Sequence, residues 1–159
     1  MKKFLVIGNP IEHSLSPTLH NYWIKNNNIN AIYEKQKINE NELEQIIVYI
    51  KKEKINGANV TVPFKKIIIP FLDELSIEAE KTQSVNTLYL KNNKVIGHNT
   101  DIIGFETSIE KSQYDVVNKE VFILGAGGVV SSIIFALNKM KVSKIKVSNR
   151  TKEKAESLK

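Results

Sequence analysis

A lysine ends the stretch Gly57-Ala-Asn-Val-Thr-Val-Pro-Phe-Lys65, and an amine held where a buried strand gives way to a turn can donate or accept a proton. Ala58 to Val62 reads as a short β-branched strand. Its polar members Asn59 and Thr61 share one parity and one face, while Ala58, Val60 and Val62 take the other. Pro63 cannot join a sheet ladder, so the strand stops there and leaves Lys65 near its carboxyl end, the edge at which open α/β sheets bind ligands. The competing reading is a strand that ends in a solvated lysine. Ser14 and Ser16, two residues apart before a predicted helix, form a second polar pair. Hydroxyls and free N–H groups at the positive end of a helix favour an anion such as a carboxylate, and plain helix capping is the alternative. The third feature is Gly125-Ala-Gly-Gly128, directly after a predicted strand and before a predicted helix. Glycines there let the backbone approach a pyrophosphate, which the helix N-terminus stabilises. Arg150, after the next strand, stands where a site for NAD would carry an acid. A guanidinium suits the 2′-phosphate of NADP, unless Arg150 is an ordinary solvated charge.

The elements that must position these residues alternate along the chain. Lys3 to Gly8 is a continuous apolar run ended by Gly-Asn-Pro, a strand buried on both faces. Ser16-Pro17 has the form of an N-cap and first helical residue, and Leu19, Trp23 and Ile24 recur at helical spacing to about Lys25, with Trp23 expected in the core. Ala31 to Ile38 is a strand, and Glu42 to Lys52 a helix with Leu43, Ile46, Ile47 and Ile50 on one face and Asn39 as its cap. Beyond Lys65 the pattern predicts short helical turns to Leu72 and then a helix over Asp73 to Thr82. Val85 to Leu90 and Lys94 to Asn99 flank Asn92-Asn93 as a hairpin that delivers Asn86 at one end and Thr100-Asp101 at the other. A helix from Gly104 to about Ser112 leads out. Val121 to Leu124 reads as a buried strand, Val129 to Lys139 as an apolar helix, Lys144 to Ser148 as a strand, and Thr151 onward as a helix.

This is an α/β pattern: a substrate domain with a mostly parallel sheet flanked by helices, then the first β-α-β of a Rossmann-like dinucleotide-binding domain. The expected boundaries are 1–101, a connecting helix at 102–117, and 118–159. Val130 takes the place of the usual third small residue of the glycine pattern.

Composition narrows the function classes. The net charge of +6 comes from 22 Lys and one Arg dispersed among 17 acids, without the Arg and aromatic interleaving of a nucleic-acid surface. There is no Cys, so disulfides and thiolate metal sites are excluded. His13, His20 and His98 have no metal-ligand spacing. No apolar run approaches a membrane span, and a cytoplasmic location is expected.

With Gly8-Asn-Pro, His13-Ser-Leu-Ser-Pro17, His20-Asn21, Asn59 to Lys65, Val85-Asn-Thr87, Asn99-Thr-Asp101, Gly125 to Gly128 and Asn149-Arg-Thr151 in this order, the chain closely resembles shikimate dehydrogenase. That family reduces 3-dehydroshikimate to shikimate with NADPH on the route to chorismate. The resemblance implies that Ser14 and Ser16 hold the substrate carboxylate, that Asn59, Thr61, Asn86 and Asp101 bond its ring oxygens, and that Lys65 is catalytic with Asp101 as its partner. It implies an NADP site at Gly125, Ala126, Gly127, Gly128, Val129, Asn149, Arg150, Thr151 and Lys154, and no metal.

Gln83-Ser84 departs from the Gly-Ala that the family usually has before Val-Asn-Thr. The family's later part, including the rest of its cofactor domain, has no counterpart here, so the expectation is an N-terminal fragment with little or no activity alone. Two other readings stay open: an NAD-dependent quinate or shikimate dehydrogenase, against which Arg150 and Ser16 speak, and a binding module without hydride transfer.

Overall fold

The computed structural model describes residues 1–158. Its first strand, β1 (Lys2–Gly8), buries Leu5, Val6 and Ile7, as a strand covered on both faces must. After helix α1 (Ser16–Asn26), strand β2 (Ala31–Lys37) pairs parallel with β1. Helix α2 (Leu43–Lys51) follows a 3₁₀ turn. The backbone N–H of Asn39 donates to Glu42 Oε2 at 2.8 Å, so Asn39 caps the 3₁₀ turn Glu40–Glu42 rather than α2 itself, whose cap residue is Glu42. Leu43, Ile46, Ile47 and Ile50 are all buried on the sheet, each side chain contributing about 1.5–3 kcal/mol.

Strand β3 (Gly57–Val60) pairs parallel with the other edge of β1. It stops two residues earlier than the sequence suggests. Ala58 and Val60 are buried, but Val62 is 56% exposed because the chain turns at Pro63 into the short helix α3 (Phe64–Ile67). The helix expected over Asp73 to Thr82 is two elements instead. Glu74–Leu75 form strand β4, and only Ile77–Thr82 form helix α4. The reason lies in tertiary pairing: Asp73 N–H donates to Val95 O and its carboxylate accepts from Val95 N–H at 2.7 Å, so the segment joins the sheet before Ser76 Oγ caps the helix.

Strands β5 (Thr87–Lys91) and β6 (Lys94–His98) form the expected hairpin, with Asn92 and Asn93 at φ of 50° and 60°. The sheet order is β2-β1-β3-β5-β6-β4, with β5 antiparallel to both neighbours and the other pairings parallel. Gly97 has no room for a side chain: a Cβ there would lie 2.4 Å from Leu72 Cδ1.

Helix α5 (Asp101–Lys111) begins three residues before the expected Gly104. Strand β7 (Glu120–Leu124), helix α6 (Val130–Lys139), strand β8 (Lys144–Ser148) and helix α7 (Lys152–Glu156) complete the chain, with β7 and β8 parallel and α6 packed on α5. β7 is not the buried strand that its composition suggests. α6 covers one face only, so Val121 and Ile123 are half-buried while Phe122 and Leu124 are 61% and 79% exposed. Helix α1 also departs from expectation. Leu15, not Ser16, is its cap residue, and Trp23 is 47% exposed rather than in the core. The chain enters the helix one residue earlier, and the core on that face is filled by Val6, Ile11 and Tyr33.

Candidate functional site

Lys65 is fixed by its neighbours before its side chain is considered. Phe64 is buried beside it, and Lys65 O accepts Val85 N–H at 2.8 Å, which ties α3 to the segment leading into β5. From that base the ammonium donates to Asp101 Oδ2 at 2.6 Å, and the two side chains are only 16% and 21% exposed. Asp101 opens α5, where the helix dipole favours a carboxylate. Its other oxygen accepts Asn86 Nδ2 at 2.8 Å.

The hairpin explains why Asn86 and Asp101 meet, because its two strands start and finish at the same edge. Asn86 Oδ1 accepts from Thr100 N–H at 3.0 Å and from Thr87 Oγ1 at 2.9 Å, so its amide cannot rotate without losing bonds. Asn59 continues the chain of contacts. Its Nδ2 donates to Asn86 O at 3.1 Å and to Thr87 Oγ1 at 3.2 Å, and its Oδ1 accepts from the Tyr33 hydroxyl at 2.6 Å. Burial holds the Tyr33 phenol above its ordinary pKa, so it stays a neutral donor. Tyr33 is in turn gripped by α1, with the Asn21 side chain bonded to both its N–H and its carbonyl and His20 stacked on its ring at 4.1 Å. Burial lowers the His20 pKa below its usual value.

Asn59, Asn86, Asp101 and Lys65 therefore form one hydrogen-bonded series. Thr61 borders it at the end of β3, its N–H on Ile7 O and its methyl against Gly8. Ser14 and Ser16 lie beyond the carboxyl end of β1, on the same sheet edge. Ser14 Oγ accepts Ser16 N–H at 3.3 Å, and the described hydrogen bonds do not link either serine to the series. Sequence reasoning missed Tyr33, Thr87, Thr100 and Asn99 as members of this network. Three of them were visible as neighbours of Asn86 and Asp101 in their motifs, whereas nothing in the sequence marked Tyr33.

A cleft of about 850 Å³ runs from Lys65 to the glycine turn. Thr61 and Lys65 line one side, and Ala126, Gly127, Gly128 and Val129 the other. Gly125 has φ of +106°, which only glycine adopts readily, and a Cβ at Gly127 or Gly128 would meet nothing within 4 Å. The turn is thus open to a ligand's close approach. Among the described residues Lys65, Lys66, Lys81 and Lys154 line the cleft and no Asp or Glu does; Asp101 offsets the charge of Lys65, and the other three lysines give a field that suits a polyanion. Asn149 Oδ1 accepts Ala126 N–H at 3.1 Å and its Nδ2 donates to Thr151 O at 2.8 Å, which fastens the glycine turn to the segment carrying Arg150. Arg150 is exposed and does not line the cleft. Among the described residues no group of His, Cys, Asp or Glu could hold a metal, and no helix is long and apolar enough to cross a membrane.

Residues 6–88 match the model of the shikimate dehydrogenase substrate binding domain, more than half of the chain. The chain belongs to the shikimate dehydrogenase family. Residues 107–159 match a second model, shikimate / quinate 5-dehydrogenase. The chain is 65% identical over 158 residues to the shikimate dehydrogenase (NADP(+)) of Pelagibacter ubique, covering 99% of itself and 60% of that protein. The corresponding enzyme of Aquifex aeolicus is 44% identical over 150 residues, 94% of this chain and 55% of its own length. Among solved structures, an Aquifex aeolicus shikimate dehydrogenase superposes with a TM-score of 0.92 at 42% identity, covering 99% of this chain and 59% of that one. A Thermus thermophilus shikimate 5-dehydrogenase in complex with NADP(H) and shikimate superposes with a TM-score of 0.89 at 30% identity, with the same coverage. The chain thus spans about 60% of the length of these shikimate dehydrogenases. Their mixed α/β fold is the one described above.

Proposed function

We propose that this chain supplies the substrate-binding part and the first dinucleotide-binding unit of an NADP-dependent shikimate dehydrogenase, which interconverts 3-dehydroshikimate and shikimate. The observation that carries the reading is Lys65, which is held by Asp101 from behind and lines the same cleft as the glycine turn. NADPH, when bound, supplies the hydride that a ketone carbon receives. Hydride addition leaves negative charge on the carbonyl oxygen, so Lys65 Nζ stabilises that charge and gives up a proton to it. Asp101 orients the ammonium. Asn59, Thr61, Asn86 and Asp101 bond the ring hydroxyls, and Ser14 and Ser16 take the carboxylate. Gly125, Ala126, Gly127, Gly128 and Val129 would hold the pyrophosphate, and Asn149, Arg150, Thr151 and Lys154 the adenosine 2′-phosphate, for which a guanidinium fork is suited. The names of the relatives, and the NADP(H) and shikimate held by the Thermus thermophilus structure, support the assignment. We place the substrate domain at 1–101, the cofactor unit at 118–159, and between them a connector at 102–117 that is helical only as far as Lys111, where α5 ends, rather than throughout.

The test compares the chain with a fusion in which the portion of the Pelagibacter ubique relative that it does not cover is joined to its end. Reduced nicotinamide is followed with shikimate or quinate and with NADP or NAD. Turnover by the fusion with shikimate and NADP supports the proposal. Turnover preferring quinate and NAD points to the related quinate activity, and shikimate binding without turnover in the fusion refutes the enzyme.

A further inference from the structure

Asn99 is 1% exposed and every polar atom of its side chain is engaged. Its Oδ1 accepts Asp101 N–H at 2.9 Å, a common arrangement ahead of a helix and unremarkable alone. Its Nδ2 does something else. It lies 2.8 Å from Ser132 Oγ on α6 and, at the end of α4, 2.8 Å from Ser84 O and 3.1 Å from Thr82 Oγ1, so its two hydrogens are shared among acceptors on two segments distant in sequence. Ser132 is fully buried in the first turn of α6, and Ser84 Oγ reaches Gly128 O at 3.3 Å.

One amide therefore joins the backbone of Asp101 to the helix that the glycine turn opens. An apolar residue of the same shape would leave Ser132 Oγ and Ser84 O short of a donor in a buried place, at about 1–3 kcal/mol for each group. The network has a direction as well. Asp101 holds the Lys65 ammonium, and Gly128 stands on the opposite side of the cleft. A shift of α6 relative to the six-stranded sheet must either break the Asn99 bonds or move the backbone of Asp101.

We infer that Asn99, acting through Ser132, is a positioning residue that sets the spacing between the Lys65 ammonium and the glycine turn across the cleft. Its relevance to turnover rests on the function proposed above, while its mechanical role does not. Misplacement of about 1 Å between reacting groups costs on the order of 10²-fold in rate, which sets the scale of the effect.

Ser132→Ala removes the hydroxyl without adding volume, and Asn99→Ala removes the whole link. The chain contains no Cys, so spin labels at K91C and K144C, both exposed, report on the six-stranded and two-stranded sheets without background. The labelled chain is expected to give one narrow distance distribution, which broadens or shifts in both variants. A distribution unchanged in both overturns the inference. In the fusion enzyme, Ser132→Ala is expected to lower kcat about 10- to 100-fold while KM for shikimate stays within about 2-fold, a split that general destabilisation does not produce. If the parent fusion has no turnover, the proposed function fails, and the distance measurement still decides the role of Asn99. If the fusion turns over and Ser132→Ala leaves kcat within 2-fold, Asn99 does not position the reaction.

Discussion

Replacing Lys65 with Met separates the roles assigned to it, because Met keeps much of the stem and removes the charge. The direct loss is a charge-assisted bond of 2.6 Å between side chains only 16% and 21% exposed, a class of interaction worth about 1.5–3 kcal/mol. Two features offset part of it. Asp101 keeps the Asn86 Nδ2 bond at 2.8 Å, and it stands in the first turn of α5, where the dipole contributes about 0.3–1 kcal/mol. The net destabilisation expected is about 1–2 kcal/mol. For a chain of this size that lowers Tm by about 2–8 °C, measurable by thermal unfolding of the 159-residue chain. Turnover by the fusion enzyme should fall much further, by about 10²- to 10⁴-fold, since a proton donor is lost together with charge stabilisation. Shikimate affinity, measured calorimetrically, should change little, as the ring and carboxylate contacts remain. Asp101→Asn, alone and combined with Lys65→Met, completes the cycle, and the two effects on stability should be less than additive. A Lys65→Met enzyme with turnover within 10-fold of the parent would refute the reasoning. So would additive losses in the cycle, since the pair would then not be coupled.

Three further outcomes are expected. Gly97→Ala places a Cβ 2.4 Å from Leu72 Cδ1 and 2.9 Å from Val85 Cγ2, so urea unfolding should show a loss of about 1–3 kcal/mol, whereas Gly127→Ala, with open space around it, should leave stability nearly unchanged. Stability should decline on acidification from about pH 6.5, the ordinary His value: burial depresses the folded pKa of His20, the unfolded chain binds the proton more readily, and folding is penalised as pH falls. His20→Phe, which keeps the stack on Tyr33, should flatten that part of the curve in urea titrations at stepped pH. Arg150→Ala should raise KM for NADP in the fusion at least 10-fold and leave KM for NAD within about 2-fold; equal effects on both would remove the 2′-phosphate role.

The sequence carried the site better than it carried the surfaces around it. Asn59 was readable from its parity in the strand, Lys65, Asn86 and Asp101 because turn and strand chemistry puts each at or beside an element's end, and the Asn92-Asn93 turn forces two of them to one edge. Val62, Trp23, Phe122 and Leu124 were misread for a common reason. Apolar character predicts burial only where another layer exists, and strand length and layer count are tertiary facts. The helix expected from Asp73 failed in the same way, because Asp73 and Glu74 take their backbone partners from β6, more than 20 residues away in sequence. Tyr33 was invisible since its importance lies in one hydroxyl reaching a strand two places over in the sheet.

The hairpin β5–β6 bears on how this protein can be altered. Both of its site-bearing ends sit at one edge of the sheet, and the Asn92-Asn93 tip lies at the other. Length added at the tip therefore cancels: the chain goes out and returns, and Asn86 and Asp101 keep their register whatever the excursion. The tip is a natural port for an inserted epitope, affinity handle or fluorescent reporter, placed as far from the cleft as the hairpin reaches.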